Sequence, residues 1–398
     1  MTNKFREPED WKAAASPSTP AVIGISPRTV IRPAAGDRGN ETRPAHELSG
    51  GPGWKRFWRR AVGLVLPVVW LGMFPVLAAA APPPAAAPPP AAPAWPAAPA
   101  DPCIVYVRSI AGARDIGAKA PFLTRLANAL TGSVSESQKF NRPFGLTLDE
   151  AGNLLVTDTG AGAVCYLDLA RKKWLRWTAV GGRRFISPVA AVHSGKTYYV
   201  ADSELGKVLA FDERGNRQFE ITNELARPAG LALLGGRLLI VDSELDQVVI
   251  CGPHGGMISK FGQRGLGAGQ LNHPTHISVD EREQIYVTDA LNSRIQVFTA
   301  DGQFVREFGS AGDGPGHFSR PKGVAVDSAG HVYVVDAVFG NVQIFNEQGR
   351  LLLDFGENGA SPGQFSLPNA IAINARNEIF VTDTYNHRVQ MFRYTGKE

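Results

Sequence analysis

The chain has 398 residues and a formal net charge of +4, with 43 Gly, 29 Pro and three Cys. The positive charge belongs to residues 1–60, which carry 11 Lys or Arg against 6 Asp or Glu, whereas residues 101–398 carry 30 against 31. A basic balance confined to the N-terminal region gives no support for a nucleic-acid partner, and none is expected. The cysteines lack the spacing of a zinc finger or a RING domain.

Residues 1–53 mix Pro, Gly, Ser, Ala and charges without periodicity, which predicts disorder. Residues 54–81 carry four basic residues and then an uncharged run from Ala61 to Ala81. At about 1.5 Å per residue, that run is long enough to cross a bilayer. It predicts either a signal peptide cut near Ala81 or an uncleaved anchor, which would hold the protein in the membrane through residues 61–81. In both cases the remainder is expected to be exported, to the periplasm or the extracellular space.

An Ala/Pro-rich linker is predicted at residues 82–101, because nine of residues 82–100 are proline and the composition favours polyproline II. Further along, apolar residues at helical spacing follow Pro121, and a glycine stands at 132. This pattern predicts a short amphipathic helix over residues 121–130.

From about residue 140 the sequence repeats six times. Each copy contains an aspartate, spaced at intervals of 44, 40, 47, 47 and 47 residues: Asp158, Asp202, Asp242, Asp289, Asp336 and Asp383. A proline precedes each aspartate by 14 or 15 residues: Pro143, Pro188, Pro228, Pro274, Pro321 and Pro368. A period of this length indicates one supersecondary unit copied along the chain.

Each copy contains four short runs of β-forming residues separated by Gly and Asp turns. In the fifth copy these runs are residues 323–327, 331–336, 341–345 and 351–355. Four antiparallel strands in 40–47 residues are typical of a propeller blade. The sequence therefore predicts an all-β, six-bladed β-propeller over residues 102–398.

Closure of the ring is predicted from the two ends of the repeat region. The sixth copy lacks a fourth strand, and residues 103–110 resemble the fourth-strand segment of the fourth copy. We expect residues 103–110 to form the outer strand of blade six, so that no open seam separates the first and last blades.

Several segments resemble NHL repeats: Arg320-Pro-Lys-Gly-Val-Ala-Val-Asp327, Asp289-Ala-Leu-Asn-Ser-Arg-Ile-Gln-Val-Phe298 and Asp383-Thr-Tyr-Asn-His-Arg-Val-Gln390. The resemblance extends over about residues 102–398 and is strongest in blades four to six. It implies the propeller fold, and a family whose members mostly bind proteins, RNA or other polymers, with some enzymes among them.

Identical placement in all six blades favours a structural role for the aspartates, as acceptors of backbone N–H groups. Selective binding instead requires residues that differ between blades. They are sought on the face of the propeller where the loops after the aspartates and the links that contain the prolines meet around the central channel. These candidates are Glu204, Glu244, His276, Asn292, Lys322, Asn369, Tyr385 and His387.

No cofactor is expected. Peptide-amidating lyases, which resemble this family, hold zinc with histidines directly after the proline, and those positions here contain no histidine. A calcium-type site using Glu204, Glu244, Asn292 and Asn369 remains open.

The sequence favours binding over catalysis: an exported module for an envelope protein, peptide or polysaccharide. Two alternatives stay open. One is a metal-assisted lyase or hydrolase at the channel mouth, and the other is a structural part of an envelope complex.

Overall fold

A computed structural model of the chain describes residues 92–97, 100–101, 103–119 and 138–396. These residues belong to one compact unit, Pro89–Glu398. Within them the fold is all-β, with single-turn 3₁₀ helices at Ala113–Ile116, Ala290–Asn292 and Thr384–Asn386.

The N-terminal region at 1–53, the apolar segment at 54–81, residues 82–91 of the linker and the helix predicted at 121–130 lie outside the described residues. In the described part of the chain, no helix has the length and apolar character needed to cross a membrane.

Twenty-nine strands occur in the described ranges. The first two precede the repeats: β1 (Ala94–Trp95) and β2 (Ile104–Ile110). Blades one and two, with a hairpin between them, comprise β3 (Pro143–Leu148), β4 (Leu154–Asp158), β5 (Ala163–Asp168), β6 (Lys173–Trp177), β7 (Ala179–Val180), β8 (Arg183–Arg184), β9 (Pro188–Ser194), β10 (Thr197–Asp202), β11 (Lys207–Phe211) and β12 (Arg217–Ile221). Blades three and four comprise β13 (Pro228–Leu234), β14 (Arg237–Asp242), β15 (Gln247–Cys251), β16 (Met257–Phe261), β17 (Pro274–Val279), β18 (Ile285–Asp289), β19 (Arg294–Phe298) and β20 (Phe304–Phe308). Blades five and six, with a short parallel pair between them, comprise β21 (Pro321–Val326), β22 (Val332–Asp336), β23 (Asn341–Phe345), β24 (Leu351–Phe355), β25 (Glu357–Asn358), β26 (Gln364–Phe365), β27 (Pro368–Ile373), β28 (Glu378–Asp383) and β29 (Arg388–Tyr394).

Each blade is an antiparallel sheet, and each inner strand begins at the repeated proline. In blades one to five the four strands lie side by side in chain order. Blade six has the order β27-β28-β29-β2-β1. Strand β2 pairs with β29 from Ile104 opposite Tyr394 to Ile110 opposite Val389. The six-bladed fold and its closure by the N-terminal strand are confirmed.

Blade six also has a fifth strand, β1, inside the region predicted as linker. Trp95 lies opposite Ile104, and its ring centroid is 5.7 Å from that of Phe355 and 5.9 Å from that of Phe392. The Ala/Pro composition of the segment concealed this strand, because a single large aromatic side chain supplies most of the packing.

The six repeated aspartates are fully buried. Asp158 accepts hydrogen bonds from the backbone N–H groups of Asn141 (2.7 Å) and Arg142 (2.8 Å), which lie just before the inner strand of the same blade. It also accepts one from Ala161 in the turn that follows it. Each aspartate therefore joins two loops on one face of the propeller. These loops define the channel face.

Blades four and six hold their aspartates in a larger network. In blade six, Asp383 accepts from Arg388 Nε (2.7 Å), Gln390 Nε2 (3.0 Å) and Asn386 Nδ2 (2.9 Å). Arg388 also donates to the carbonyl of Gln364 in the preceding loop. Asp289, Asn292, Arg294 and Gln296 repeat this arrangement in blade four. The NHL-like segments Asp289–Phe298 and Asp383–Gln390 thus encode a buried ionic network.

Six apolar clusters form the core, one between each pair of neighbouring blades, including blades six and one. Close approach of the inner strands explains a recurring glycine. A Cβ atom on Gly145 would lie 2.2 Å from the carbonyl oxygen of Val189 in the next blade. Even an alanine side chain would clash there, which shows that the inner strands of these two blades lie close together and surround a narrow channel.

Candidate functional site

The inner strands of all six blades line a cavity of about 40 Å³ along the propeller axis. Its walls are mostly glycine, alanine and branched apolar side chains. A space of this size accommodates only a few water molecules. A larger ligand must therefore bind at the mouth of the channel and not within it.

His276 is the exception in the channel wall. It stands two residues after the proline, where the other five blades have a small residue: Gly145, Ala190, Gly230, Gly323 and Ala370. Burial, together with the nearby charge of Lys322, lowers the pKa of His276 from 6.5 to about 3. The imidazole is therefore neutral at physiological pH.

Two neighbours orient the imidazole. Asn369 Nδ2, on the inner strand of blade six, lies 3.2 Å from His276 Nε2. The Thr275 hydroxyl lies 3.1 Å from Nδ1. Because an amide nitrogen can only donate, Nε2 must accept, and Nδ1 then carries the proton and donates to the hydroxyl.

Lys322 occupies the position directly after the proline of blade five. Burial is the main reason that its pKa falls from 10.5 to about 8, and repulsion by Arg320 adds to the effect. Asp336 attracts the ammonium group, but its carboxylate already accepts four backbone N–H groups. Among the residues that the structure describes, Lys322 has no ion-pair partner.

Asn369 is only 4% exposed and completes the group. Besides approaching His276, its Nδ2 donates to the carbonyl of Phe144 in blade one at 3.2 Å. Its Oδ1 has no hydrogen-bond partner within the described ranges. We call Thr275, His276, Lys322 and Asn369 the channel cluster. It offers one cation, one amide oxygen and no carboxylate.

The rim around this cluster differs between its two halves. Two residues after the aspartates, blades four to six present exposed apolar side chains, namely Leu291 (66%), Val338 (45%) and Tyr385 (51%). We call these three residues the apolar arc. At the same position blades two and three present Glu204 and Glu244, both exposed. Glu204 forms an ion pair with Arg227 at 3.5 Å.

The remaining two predicted site residues serve the loops. Asn292 Nδ2 donates to Asp289 Oδ2 (2.8 Å) and to the carbonyl of Gly265 (2.9 Å). His387 has a φ of 57°, and its Nδ1 contacts the carbonyl oxygen of Asn141 in blade one. These contacts hold the loops of the channel face in place.

Of the eight predicted residues, the structure thus brings His276, Lys322 and Asn369 together, and places Glu204, Glu244 and Tyr385 on the rim. Sequence reasoning did not select Leu291 and Val338. Apolar residues in loops after the aspartates were the available signal. In the described part of the chain, no three His, Cys, Asp or Glu side chains are grouped so that they could hold a metal ion.

Comparison with known proteins supports this architecture. A model of the six-bladed β-propeller family DUF5128 matches residues 282–341, and the NHL repeat model matches residues 365–392. The chain is a six-bladed β-propeller that contains an NHL repeat, which confirms the resemblance inferred from its sequence. No curated protein matches it in sequence.

Solved structures of similar fold include two from Bacteroides thetaiotaomicron. A protein of unknown function aligns with a TM-score of 0.52 and 16% identity over 66% of this chain and 71% of its own. An auxiliary nutrient binding protein aligns with a TM-score of 0.51 and 12% identity over 65% and 70%. Virginiamycin B lyase from Staphylococcus aureus aligns at 0.46 and 17% over 65% and 86%. At these identities the structures share the fold alone.

Proposed function

We propose that the protein is a binding module whose channel face captures a protein or peptide, with the C-terminal carboxylate of the ligand seated in the channel cluster. One observation carries this proposal. Lys322 places a recessed ammonium group at the channel mouth with no carboxylate partner among the described residues.

An ammonium group removed from water without a partner costs stability, and its lowered pKa expresses that cost. A ligand carboxylate would supply the missing opposite charge and raise the pKa of Lys322 again. Nothing anionic within the channel cluster competes for it. The unpaired Oδ1 of Asn369 can accept an N–H group, and a peptide provides such a donor beside its carboxylate.

The rim supports a peptide more than a small anion. The apolar arc lies on blades four to six, the same three blades that supply His276, Lys322 and Asn369. Exposed apolar side chains beside a polar pocket are typical of protein-binding surfaces. Glu204 and Glu244 lie on the opposite side. Acidic residues there would repel a second carboxylate and favour basic residues, which would fix the orientation of the ligand.

The place of action is part of the proposal. If residues 54–81 direct export, the propeller acts outside the cytoplasm, where its ligand would be an envelope protein or peptide. A binding role is compatible with this fold, since the auxiliary nutrient binding protein noted above has a similar fold.

Affinity selection tests the proposal. The immobilised protein is offered a random heptapeptide library that lacks Asp and Glu and has free C-terminal carboxylates, and the same library with C-terminal amides. We expect enrichment from the carboxylate library, and loss of that enrichment in Lys322→Met. Equal enrichment from both libraries, or from neither, would contradict the proposal. Stoichiometric metal in the purified protein would instead support the lyase or hydrolase alternative.

A further inference from the structure

A second cleft lies between blades one and two, on the face opposite the channel mouth. It has a volume of about 780 Å³ and is lined by the ends of β5, β9 and β10 and by three turns. The turns contain Arg171 of blade one, and Lys196 and Glu213 of blade two. Cavities of roughly 300–1,000 Å³ are typical of small-molecule sites, so this cleft is large enough for a ligand.

The floor of the cleft departs from the repeat. His193 and Tyr198 face each other across β9 and β10. In the five other blades the same cross-strand pair is apolar: Leu148 with Leu154, Leu233 with Leu238, Val279 with Ile285, Val326 with Val332, and Ile373 with Ile379.

Tyr166 is a second departure from the repeat. At the same position the other five blades have apolar residues, namely Ala210, Ile250, Val297, Ile344 and Met391. Three core positions are therefore polar at one blade interface and apolar at the others. Interior packing alone gives no reason for such a concentration.

Part of this polar floor is satisfied internally. Tyr166 donates to Asp149 Oδ2 at 2.9 Å and accepts from Asn153 Nδ2 at 2.8 Å. The rings of His193 and Tyr198 contact each other with centroids 4.3 Å apart and planes tilted by 33°. Within the described residues, however, neither the Tyr198 hydroxyl nor the His193 ring has a hydrogen-bond partner, and the closest carboxylate oxygen to His193 Nδ1, on Asp149, is 3.9 Å away.

These two groups share one chemical property. Burial lowers the pKa of His193, although Asp149, Glu150 and Glu213 oppose the shift, and the ring is therefore neutral at pH 7. A neutral imidazole offers one donor and one acceptor, as a phenol hydroxyl does. Each group can therefore donate a hydrogen bond to a ligand hydroxyl or accept one from it.

The walls carry balanced charge. Arg171 pairs with Asp168 at 3.6 Å, and Lys173 pairs with Glu213. Asp212 accepts from the backbone and side chain of Asn216, beside Arg214. Because donors and acceptors are both present and neither sign dominates, the cleft favours an uncharged ligand rich in hydroxyl groups over an ion.

We propose that this cleft binds a neutral saccharide, with His193 and Tyr198 bonding to its hydroxyl groups. The site is separate from the channel cluster and does not depend on the function proposed for it. The protein would then hold a peptide on one face and a glycan on the other.

An oligosaccharide array tests the proposal with the full chain. It carries neutral di- to tetrasaccharides of glucose, galactose, mannose and N-acetylglucosamine, with uronate-containing glycans beside them. We expect at least one neutral glycan to bind. His193→Leu and Tyr198→Leu, which install residues that blade three has at these positions, should each weaken it at least tenfold. Both should melt as cooperatively as the wild type.

His254→Leu, at an exposed turn position of blade three outside the cleft, is the matched control and should bind that glycan as the wild type does. Failure of every neutral glycan to bind overturns the proposal. So does tighter binding of the uronates than of the neutral glycans, or neutral-glycan binding that neither leucine variant alters.

Discussion

Asn369 of blade six approaches His276 of blade four across the channel mouth, with 3.2 Å between Nδ2 and Nε2. The two blades are not neighbours in the ring. Side chains from both can meet only because small residues line the rest of the channel. The contact also fixes which ring nitrogen carries the proton, whereas burial and the charge of Lys322 keep the imidazole neutral.

The first prediction concerns acid stability. His276 has a pKa of about 3 in the folded protein and 6.5 as its ordinary value, so the unfolded chain takes up a proton first as the pH falls. Protonation of His276 in the unfolded chain therefore lowers the free energy of unfolding as the pH falls from 6.5 towards 3, by about 1.4 kcal/mol per pH unit. Above pH 6.5 this loss is absent. His276→Ala should therefore lose less unfolding free energy between pH 7 and pH 4 than the wild type.

Urea denaturation at the two pH values measures this difference. Asn369→Ala is the control, because it removes the hydrogen-bond partner and keeps the imidazole. It should retain the larger acid sensitivity. Equal losses in the wild type and His276→Ala would show that the imidazole is not protected from protonation.

The second prediction concerns alkaline pH. The pKa of Lys322 is lowered from 10.5 to about 8, because burial disfavours the charged amine in the folded state. Below pH 8 the amine is charged in both states, and the full cost of burying that charge lowers the free energy of unfolding. Between pH 8 and 10.5 the penalty disappears, and stability should rise relative to a variant without the amine. Lys322→Met should be more stable than the wild type at pH 7, by about 1–3 kcal/mol.

Thermal denaturation at pH 7 and pH 9.5 checks this. The stability gap between Lys322→Met and the wild type should narrow at the higher pH. Lys196→Met, at an exposed turn position, controls for the general effect of removing a lysine. A variant no more stable than the wild type at pH 7 would indicate that Lys322 bears no burial penalty.

The third prediction concerns the repeated aspartates. Asp383 is fully buried and pairs with Arg388, which is itself only 13% exposed in its side chain. Asp383→Ala removes the carboxylate that pairs with the guanidinium group and leaves Arg388 Nε and the backbone N–H of Ser366 without an acceptor, so it should destabilise the fold by about 3–5 kcal/mol. Urea denaturation measures the loss. Asp301→Ala, at a side chain that is 87% exposed, should change stability by less than about 0.5 kcal/mol.

The fourth prediction concerns β1. Trp95 packs on Phe355 and Phe392 as part of blade six. Because the side chain is only partly buried, Trp95→Ala should cost about 2 kcal/mol, less than a fully buried tryptophan. Ile258→Ala, at a side chain that is 58% exposed, is the comparison and should be nearly neutral. A neutral Trp95→Ala would show that β1 adds nothing to the blade.

The repeat made the propeller predictable from sequence. The prolines, the aspartates and the runs of β-forming residues recur along the repeats, so the number of blades, the strand order and the closing strand could all be inferred. Strand β1 could not, because Ala and Pro give no strand pattern and the contribution of Trp95 depends on tertiary packing.

The site was predictable only in part. His276, Lys322 and Asn369 stood out as unequal residues beside the repeated prolines, but their meeting depends on the width of the channel. Asn292 and His387 stood out equally in the sequence, but the structure shows that they hold loops in place. The sequence could not distinguish this role, because their contacts with backbone carbonyls depend on the tertiary fold. The exposure of Leu291 and Val338 likewise required the structure.

The central claim is that Lys322 receives a ligand carboxylate. The most direct test measures the affinity of a peptide enriched by selection, as the free acid and as its C-terminal amide, for the wild type and for Lys322→Met. The amide should bind the wild type at least tenfold more weakly than the acid, and the two forms should bind Lys322→Met equally. If the amide binds the wild type as well as the acid, or if the preference for the acid persists in Lys322→Met, the claim is wrong.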